Sequence, residues 1–223
     1  IYNKIYAINH YKFIDKIVLK KRMEISNIIN NKIKNLQIYD ALDIGTTSDD
    51  KNESSNIIIK NISNIKTFKC ISDQMVNSDF FCKSLNKSIT EEFSNNELNE
   101  FSSDLVISNA TIEHVGSKLN QKKMIQNIIK LTKKIFVLTT PNRFYPIELH
   151  TKIPLIHWLP KSIYRSILKF LGLSFYANEK NLNLLSINDL KKMLNDQGII
   201  YEIKFLKLFF FKSNIIIIGK KFT

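Results

Sequence analysis

The sequence predicts an α/β protein: a mostly parallel sheet of seven strands, helices on both faces, and an antiparallel strand pair at the C-terminal end. Three observations predict it. Short apolar runs bounded by Gly, Asp and Ser recur along the chain. Between them lie segments whose apolar residues repeat at helical steps, the order of βα units in a parallel sheet. The last two apolar runs follow each other directly, as a hairpin does.

The composition allows such a core. Of 223 residues, 44% are apolar, with 5 Gly and 4 Pro. That excludes a disordered tail, a collagen-like fibre and a disulfide-stapled miniprotein. Lys and Arg number 33 against 20 Asp and Glu, a net charge of +13. The basic side is nearly all Lys; only Arg22, Arg143 and Arg165 are arginines. Readers of nucleic acid lean on Arg for bidentate base contacts, so the charge alone does not argue for nucleic acid. It favours anionic partners in general. Cys70 and Cys82 form neither a disulfide framework nor a zinc motif, so no metal is expected, and they suit a reducing cytoplasmic setting. The first twenty residues carry several Lys and no long apolar stretch, unlike a signal peptide.

Taken in order, Phe13, Ile14, Ile17, Val18, Ile25, Ile28, Ile29 and Ile33 recur every three or four residues, with Lys12, Lys16, Lys20, Lys21 and Arg22 elsewhere. This predicts an amphipathic helix in a basic segment, residues 1–37, packed on the domain with its charged side in water. The same pattern suits contact with the inner membrane surface, the second reading. His10 reads as a surface residue. Ile38 to Gly45 is a strand, followed by Thr46, Thr47, Ser48, Asp49 and Asp50. Asn56 to Ile62 reads as a helix, and Ile65 to Ile71 as the second strand. A weak third strand falls near Phe80 to Lys83, and 84–100 reads as loop with one short helix. Leu105 to Ile107 is the fourth strand, Gln121 to Leu131 a helix, and Ile135 to Leu138 the fifth strand. A proline-dotted stretch follows, with Pro141, Pro146, Pro154 and Pro160. Its length and its aromatics mark it as ordered and functional. Helices are predicted at 161–171 and 187–197, the latter capped by Ser186. Tyr201 to Leu208 and Ser213 to Ile218 close the chain around Phe211-Lys212.

Sheets of this kind bind ligands at the carboxyl ends of their strands. Three segments end there: Asp43-Ile44-Gly45-Thr46-Thr47, Asn109-Ala110-Thr111-Ile112-Glu113-His114, and Thr140-Pro141-Asn142-Arg143 running on to Glu148 and His150. Gly45 allows a tight turn beneath a ligand. A pyrophosphate cradle would need more glycines, which weighs against a nicotinamide oxidoreductase.

These segments, in this order, resemble the class I S-adenosylmethionine-dependent methyltransferases of the broad type 11, small-molecule kind. The resemblance runs from about Ile38 to Lys220 and implies a Rossmann-like fold, residues 38–223, with a substrate lid at about 140–172. It implies S-adenosylmethionine as cofactor and a small molecule, glycan or lipid precursor as methyl acceptor. Asp43, Gly45, Thr46 and Thr47 match the cofactor loop. Thr47 stands where a second glycine is usual, and Asp49 where a third often appears. Asp73 matches the acid that holds the ribose, with Ser72 beside it. The acid that contacts adenine has no counterpart at Ser84, Leu85 or Asn86. Asn109 matches the residue after the fourth strand that faces cofactor and substrate, and Glu113 and His114 match the helix-start pair; Asn109, Ala110 and Glu113 are expected to contact the cofactor. Methyl transfer is an in-line displacement in which alignment does most of the work. A hydroxyl or amine acceptor also needs a base, and His114, His150 and His157 are the candidates. Glu148, Tyr145 and Arg143 are secondary ones. The missing glycines also fit a methyltransferase-like binding module without cofactor.

Overall fold

The computed structural model describes residues 11–48 and 55–220. The expectations for His10, Asp49 and Asp50, and for the side chains of Phe13 and Ile14, lie outside the described residues. Seven strands form one sheet in the order β3-β2-β1-β4-β5-β7-β6. They are β1 (Asp40–Ile44), β2 (Thr67–Ser72), β3 (Lys83–Asn86), β4 (Ser103–Asn109), β5 (Thr132–Pro141), β6 (Ile200–Leu208) and β7 (Phe211–Lys220). β1 to β5 pair in parallel, and β7 runs antiparallel to both β5 and β6.

The central strands are apolar on both faces because both faces are covered. On one face Leu42, Ile44, Val106 and Leu138 pack with Met124, Ile125 and Ile128 of α4 (Lys118–Leu131) and with Leu190 and Leu194 of α7 (Ile187–Asn195). On the other, Ala41, Leu105, Ile107 and Val137 meet α1 (Tyr11–Ile33) and the single turn α2 (Ile57–Lys60). α1 buries Ile25, Ile29 and Ile33, one side chain per turn. Ser26 and Asn30 donate to the Ile58 and Asn61 carbonyls. The expected packing of this helix on the domain is thus what its C-terminal half does.

Several elements differ from the sequence reading. The third strand begins at Lys83, not Phe80. Phe80 and Phe81 precede it as an aromatic plug stacked on Phe68, and an edge strand with only Leu85 half-buried gives little hydrophobic signal. Within 84–100 lies α3 (Asn95–Phe101), opened by a capping box between Ser94 and Glu97. The helix expected over 56–62 is only α2. The closing hairpin turns at Phe209-Phe210 rather than Phe211-Lys212; Phe209 takes a left-handed φ of 55° and Phe210 is exposed.

The 140–172 segment contributes a 3₁₀ turn (Ile156–Trp158) and α5 (Lys161–Phe170), followed by α6 (Ser174–Ala177). Tyr164, Leu168, Ala177, Leu182 and Leu184 give it a small core of its own. No helix among the described residues is long and apolar enough to cross a membrane.

Gly219, on β7, lies against Phe136 of β5, and a Cβ there would sit 2.1 Å from the ring. Gly219→Ala is expected to cost about 1–3 kcal/mol by overpacking. Urea unfolding checks this, and Phe136→Leu in the same chain should recover part of the loss.

Candidate active site

Parallel pairing of β1 with both β2 and β4 brings three loops together at one sheet edge. Gly45 leaves β1 with a φ of +82°, and its N–H donates to the Ile71 carbonyl. A Cβ on Gly45 would lie 2.2 Å from Thr111 Oγ1, so the loops after β1 and β4 touch where only glycine fits. Thr111 in turn donates to the Ile44 and Asn109 carbonyls. At Thr47 the Asn56 side chain accepts from the backbone N–H at 3.1 Å and donates to the carbonyl at 2.9 Å. A two-way amide clasp therefore holds the loop where a second glycine was expected.

Asp43 is buried, and Thr46 Oγ1 donates to its carboxylate at 2.7 Å. Burial raises its pKa to about 6, against the opposing effect of the Thr46 hydrogen bond. Ser72 spends its hydroxyl on the Thr46 carbonyl, which leaves exposed Asp73 as the free acid beyond β2. Because β3 ends at Asn86, the residues following it are Lys87, Ser88 and Ile89, not Ser84 to Asn86. These three line a cavity of about 260 Å³ with Gly45, Thr46, Thr47, Asp73 and His114. A neighbouring cavity of about 200 Å³ adds Asp43, Asn56 and Asn109.

A third cavity, of about 370 Å³, lies on the other side of Ala110. Its walls include Ile17, Val18 and Arg22 of α1, Tyr145 and His150 of the 140–172 segment, and Phe209 of the closing hairpin. Ala110 borders all three cavities and holds a φ of 52°, a conformation that L residues adopt at a cost. Its N–H donates to the Thr139 carbonyl, and Thr139 Oγ1 donates to Asn109 Oδ1 at 2.6 Å. A separate cavity of about 350 Å³ lies at the amino edge of the sheet, between the end of α1 and residues 63–65, far from these groups.

His114 and His150 meet beside Ala110 with ring centroids 4.9 Å apart and planes at 82°. Glu113 is wholly buried and does not line the 260 Å³ cavity. Thr140 Oγ1 donates to its Oε2 at 2.9 Å, while Oε1 faces the imidazoles 4.0 Å from His114 Nε2. His150 Nδ1 is 2.7 Å from Glu148 Oε1. Burial pushes the Glu148 carboxyl up, but His150 and the backbone N–H groups of His150 and Thr151 outweigh it and hold it at about 2. Burial pulls the other way on His150, yet Glu148 wins and its pKa is raised. The pairing of Glu148 with His150 is the feature of the site least evident in the sequence. Two loop residues two apart carry no periodic signal, and only the acid-x-His spacing hints at it.

His157 is not brought to this cluster. It is buried within the 140–172 segment, with Nε2 2.7 Å from the Tyr145 carbonyl, and burial lowers its pKa. Arg143 Nε and Nη2 donate to the His157 and Leu159 carbonyls, so Arg143 ties this segment together.

Solved structures of methyltransferases share this architecture. The N-methyltransferase NodS from Bradyrhizobium japonicum WM9 is 8% identical over 96% of this chain and 98% of its own, with a TM-score of 0.52. The magnesium protoporphyrin IX methyltransferase ChlM from Synechocystis PCC 6803, with bound SAH, is 12% identical over 99% of this chain and 92% of its own, with a TM-score of 0.56. The CurJ carbon methyltransferase is 12% identical over 89% of this chain and 53% of its own, at a TM-score of 0.55. The fold is that of the S-adenosylmethionine-dependent methyltransferases. No family model matches the sequence, and no curated protein does.

Within that fold, Asp43 exacts a stability cost. Its folded pKa of about 6 exceeds the ordinary 3.8, so the folded protein binds this proton more tightly than the unfolded chain does. Stability therefore falls as pH rises from about 4 to about 6 and the full cost persists at pH 7, about 3 kcal/mol at most. Asp43→Asn should raise the melting temperature at pH 7 and leave it unchanged near pH 3. Thermal unfolding of both proteins across this range checks the difference.

Proposed function

We propose that the protein transfers a methyl group from S-adenosylmethionine to an acceptor seated in the 370 Å³ cavity. The observation that carries this reading is the meeting of two cavities at Ala110. One is lined by loop residues after β1, β2, β3 and β4, the other by α1 and the 140–172 segment. The cofactor residues fit that role. The Gly45 turn lets backbone approach a ligand closely, and Asp73 offers a carboxylate to a ribose diol. Buried Asp43 offers charge beneath the loop. When bound, S-adenosylmethionine supplies a methyl carbon on a sulfonium leaving group. The chain's own part is alignment, exclusion of water and handling of the acceptor's proton.

His114 borders the cofactor cavity and His150 the acceptor cavity, so these two imidazoles are the acceptor-facing groups. His157 stays out of the chemistry, because its ring is enclosed and bonded to backbone. The 140–172 segment serves as the lid. The acceptor cavity is walled by Ile17, Val18, Ile147, Leu149, Leu206, Leu208 and Phe209, with Lys21, Arg22 and Lys152 among them. This favours an acceptor with an apolar body and an anionic group, such as a lipid precursor, over a nucleic acid. Exposed Phe209 and Phe210 beside that mouth would let the protein draw such an acceptor from a membrane surface on the cytoplasmic side.

Calorimetry should show S-adenosylmethionine and S-adenosylhomocysteine binding, and NADH not binding. Gly45→Ala should weaken both by more than tenfold, because the Cβ is driven into Thr111. Absence of binding by the wild-type chain overturns the reading in favour of a cofactor-less binding module. With an acceptor in hand, His114→Ala and His150→Ala should lower turnover while leaving S-adenosylhomocysteine affinity unchanged. Full turnover in both variants removes the histidines from the mechanism.

A further inference from the structure

Glu113, His114 and His150 each offer one ligand atom, and the three atoms lie within 4.8 Å of one another. Each is also held by a second partner. Thr140 Oγ1 donates to Glu113 Oε2, leaving Oε1 buried with no hydrogen-bond partner. A buried carboxylate oxygen without a partner is costly, and so points to a ligand. His114 Nδ1 lies 2.7 Å from the Asn181 carbonyl, which can only accept, so Nδ1 carries the hydrogen and Nε2 presents its lone pair. His150 Nδ1 lies on the Glu148 carboxylate at 2.7 Å, which fixes the same tautomer. Metal-ligating histidines commonly donate their other nitrogen to a carboxylate or a backbone carbonyl in this way.

We propose that Glu113, His114 and His150 bind a divalent first-row transition-metal ion at the junction of the two cavities. The inference rests on the methyltransferase reading only for what the ion faces, not for whether it binds. Two imidazoles and one carboxylate suit ions from Mn²⁺ to Zn²⁺, whereas Ca²⁺ and Mg²⁺ prefer all-oxygen sets. With bonds of about 2.1 Å, donor atoms around such an ion stand about 3.0–3.4 Å apart. The cluster therefore contracts by roughly an ångström on binding. His114, whose side chain is 40% exposed, has room to make that movement. Three protein ligands leave coordination positions open. His114 lines the 260 Å³ cavity and His150 the 370 Å³ cavity, so under the methyltransferase reading an acceptor oxygen is the ligand those positions would take.

The test uses untagged protein stripped with a chelator, then titrated with Zn²⁺, Mn²⁺ and Co²⁺ by calorimetry and equilibrium dialysis. One ion per chain is expected for at least one of these metals. Glu113→Gln keeps the shape and the Thr140 contact, and should weaken binding more than tenfold. His150→Ala should do the same, while thermal unfolding confirms that both variants fold. Glu148→Gln, which alters only the orienting partner, should weaken binding by about 10–100-fold. Cys82→Ser should change nothing, which excludes capture by the exposed thiol. Acetohydroxamate, a bidentate oxygen donor, should alter the visible spectrum of the Co²⁺ form, as open positions require. No stoichiometric binding of any of the three metals, binding unaffected by Glu113→Gln and His150→Ala, or a Co²⁺ spectrum that acetohydroxamate does not alter overturns the proposal. S-adenosylhomocysteine affinity, measured separately on the stripped protein, tells that failure from a failure of the methyltransferase reading.

Discussion

The close approach of Gly45 to Thr111 organises the functional end of the molecule. Parallel pairing of β1 and β4 sets the two strands side by side. Their loops can then meet only if one lacks a side chain at the crossing, where a Cβ would lie 2.2 Å from Thr111 Oγ1. From that crossing the chain diverges to form the separate cavities, with Ala110 as the shared wall. The cavities exist because the sheet edge is pinned at its centre and open to either side, the arrangement in which doubly wound sheets bind ligands.

Polar groups buried around this crossing are satisfied in a graded way. Ser72, Ser108, Thr139 and Asn56 spend their hydrogen bonds on backbone and neighbouring side chains, and so fix the loops. Asp43, Glu113 and Glu148 are buried carboxylates with three different environments. Asp43 has one hydroxyl donor, Glu113 has one oxygen satisfied and one not, and Glu148 has a histidine and two backbone N–H groups. A protein interior tolerates such groups when they are paired or when something else completes them. Only Glu148 is fully paired within the chain.

Much of the fold was legible in the sequence because the central strands and the core-facing helices carry strong periodic signals. Leu42, Val106 and Leu138 announce buried strands, and Met124, Ile128 and Leu131 a helix face. The elements misread were those whose structure depends on partners. β3 is a polar edge strand recognisable only from its register with β2. The hairpin turn uses two phenylalanines instead of turn-forming residues. The close approach of Gly219 to Phe136 is set by the register of β7 on β5 and leaves no mark in the sequence. In the site, the loops after β1 and β4 were readable from their motifs. The sorting of three histidines into two at the junction and one inside the 140–172 segment was not. That sorting is decided by the course of the loop from Pro141 to Pro160, which has no repeating pattern to read.

One helix carries two kinds of demand. The C-terminal half of α1 buries Ile25, Ile29 and Ile33 in the core, while Ile17, Val18, Lys21 and Arg22 in its N-terminal half wall the 370 Å³ cavity, with Ile25 where the two meet. Substitutions in the C-terminal half are paid in stability, since each removes packed volume. Those in the N-terminal half change the shape and charge of a cavity. The helix thus passes, at Ile25, from what keeps the protein folded to what shapes the cavity. Two turns of α1 can therefore vary in sequence, and the cavity with them, while the rest of the chain stays the same.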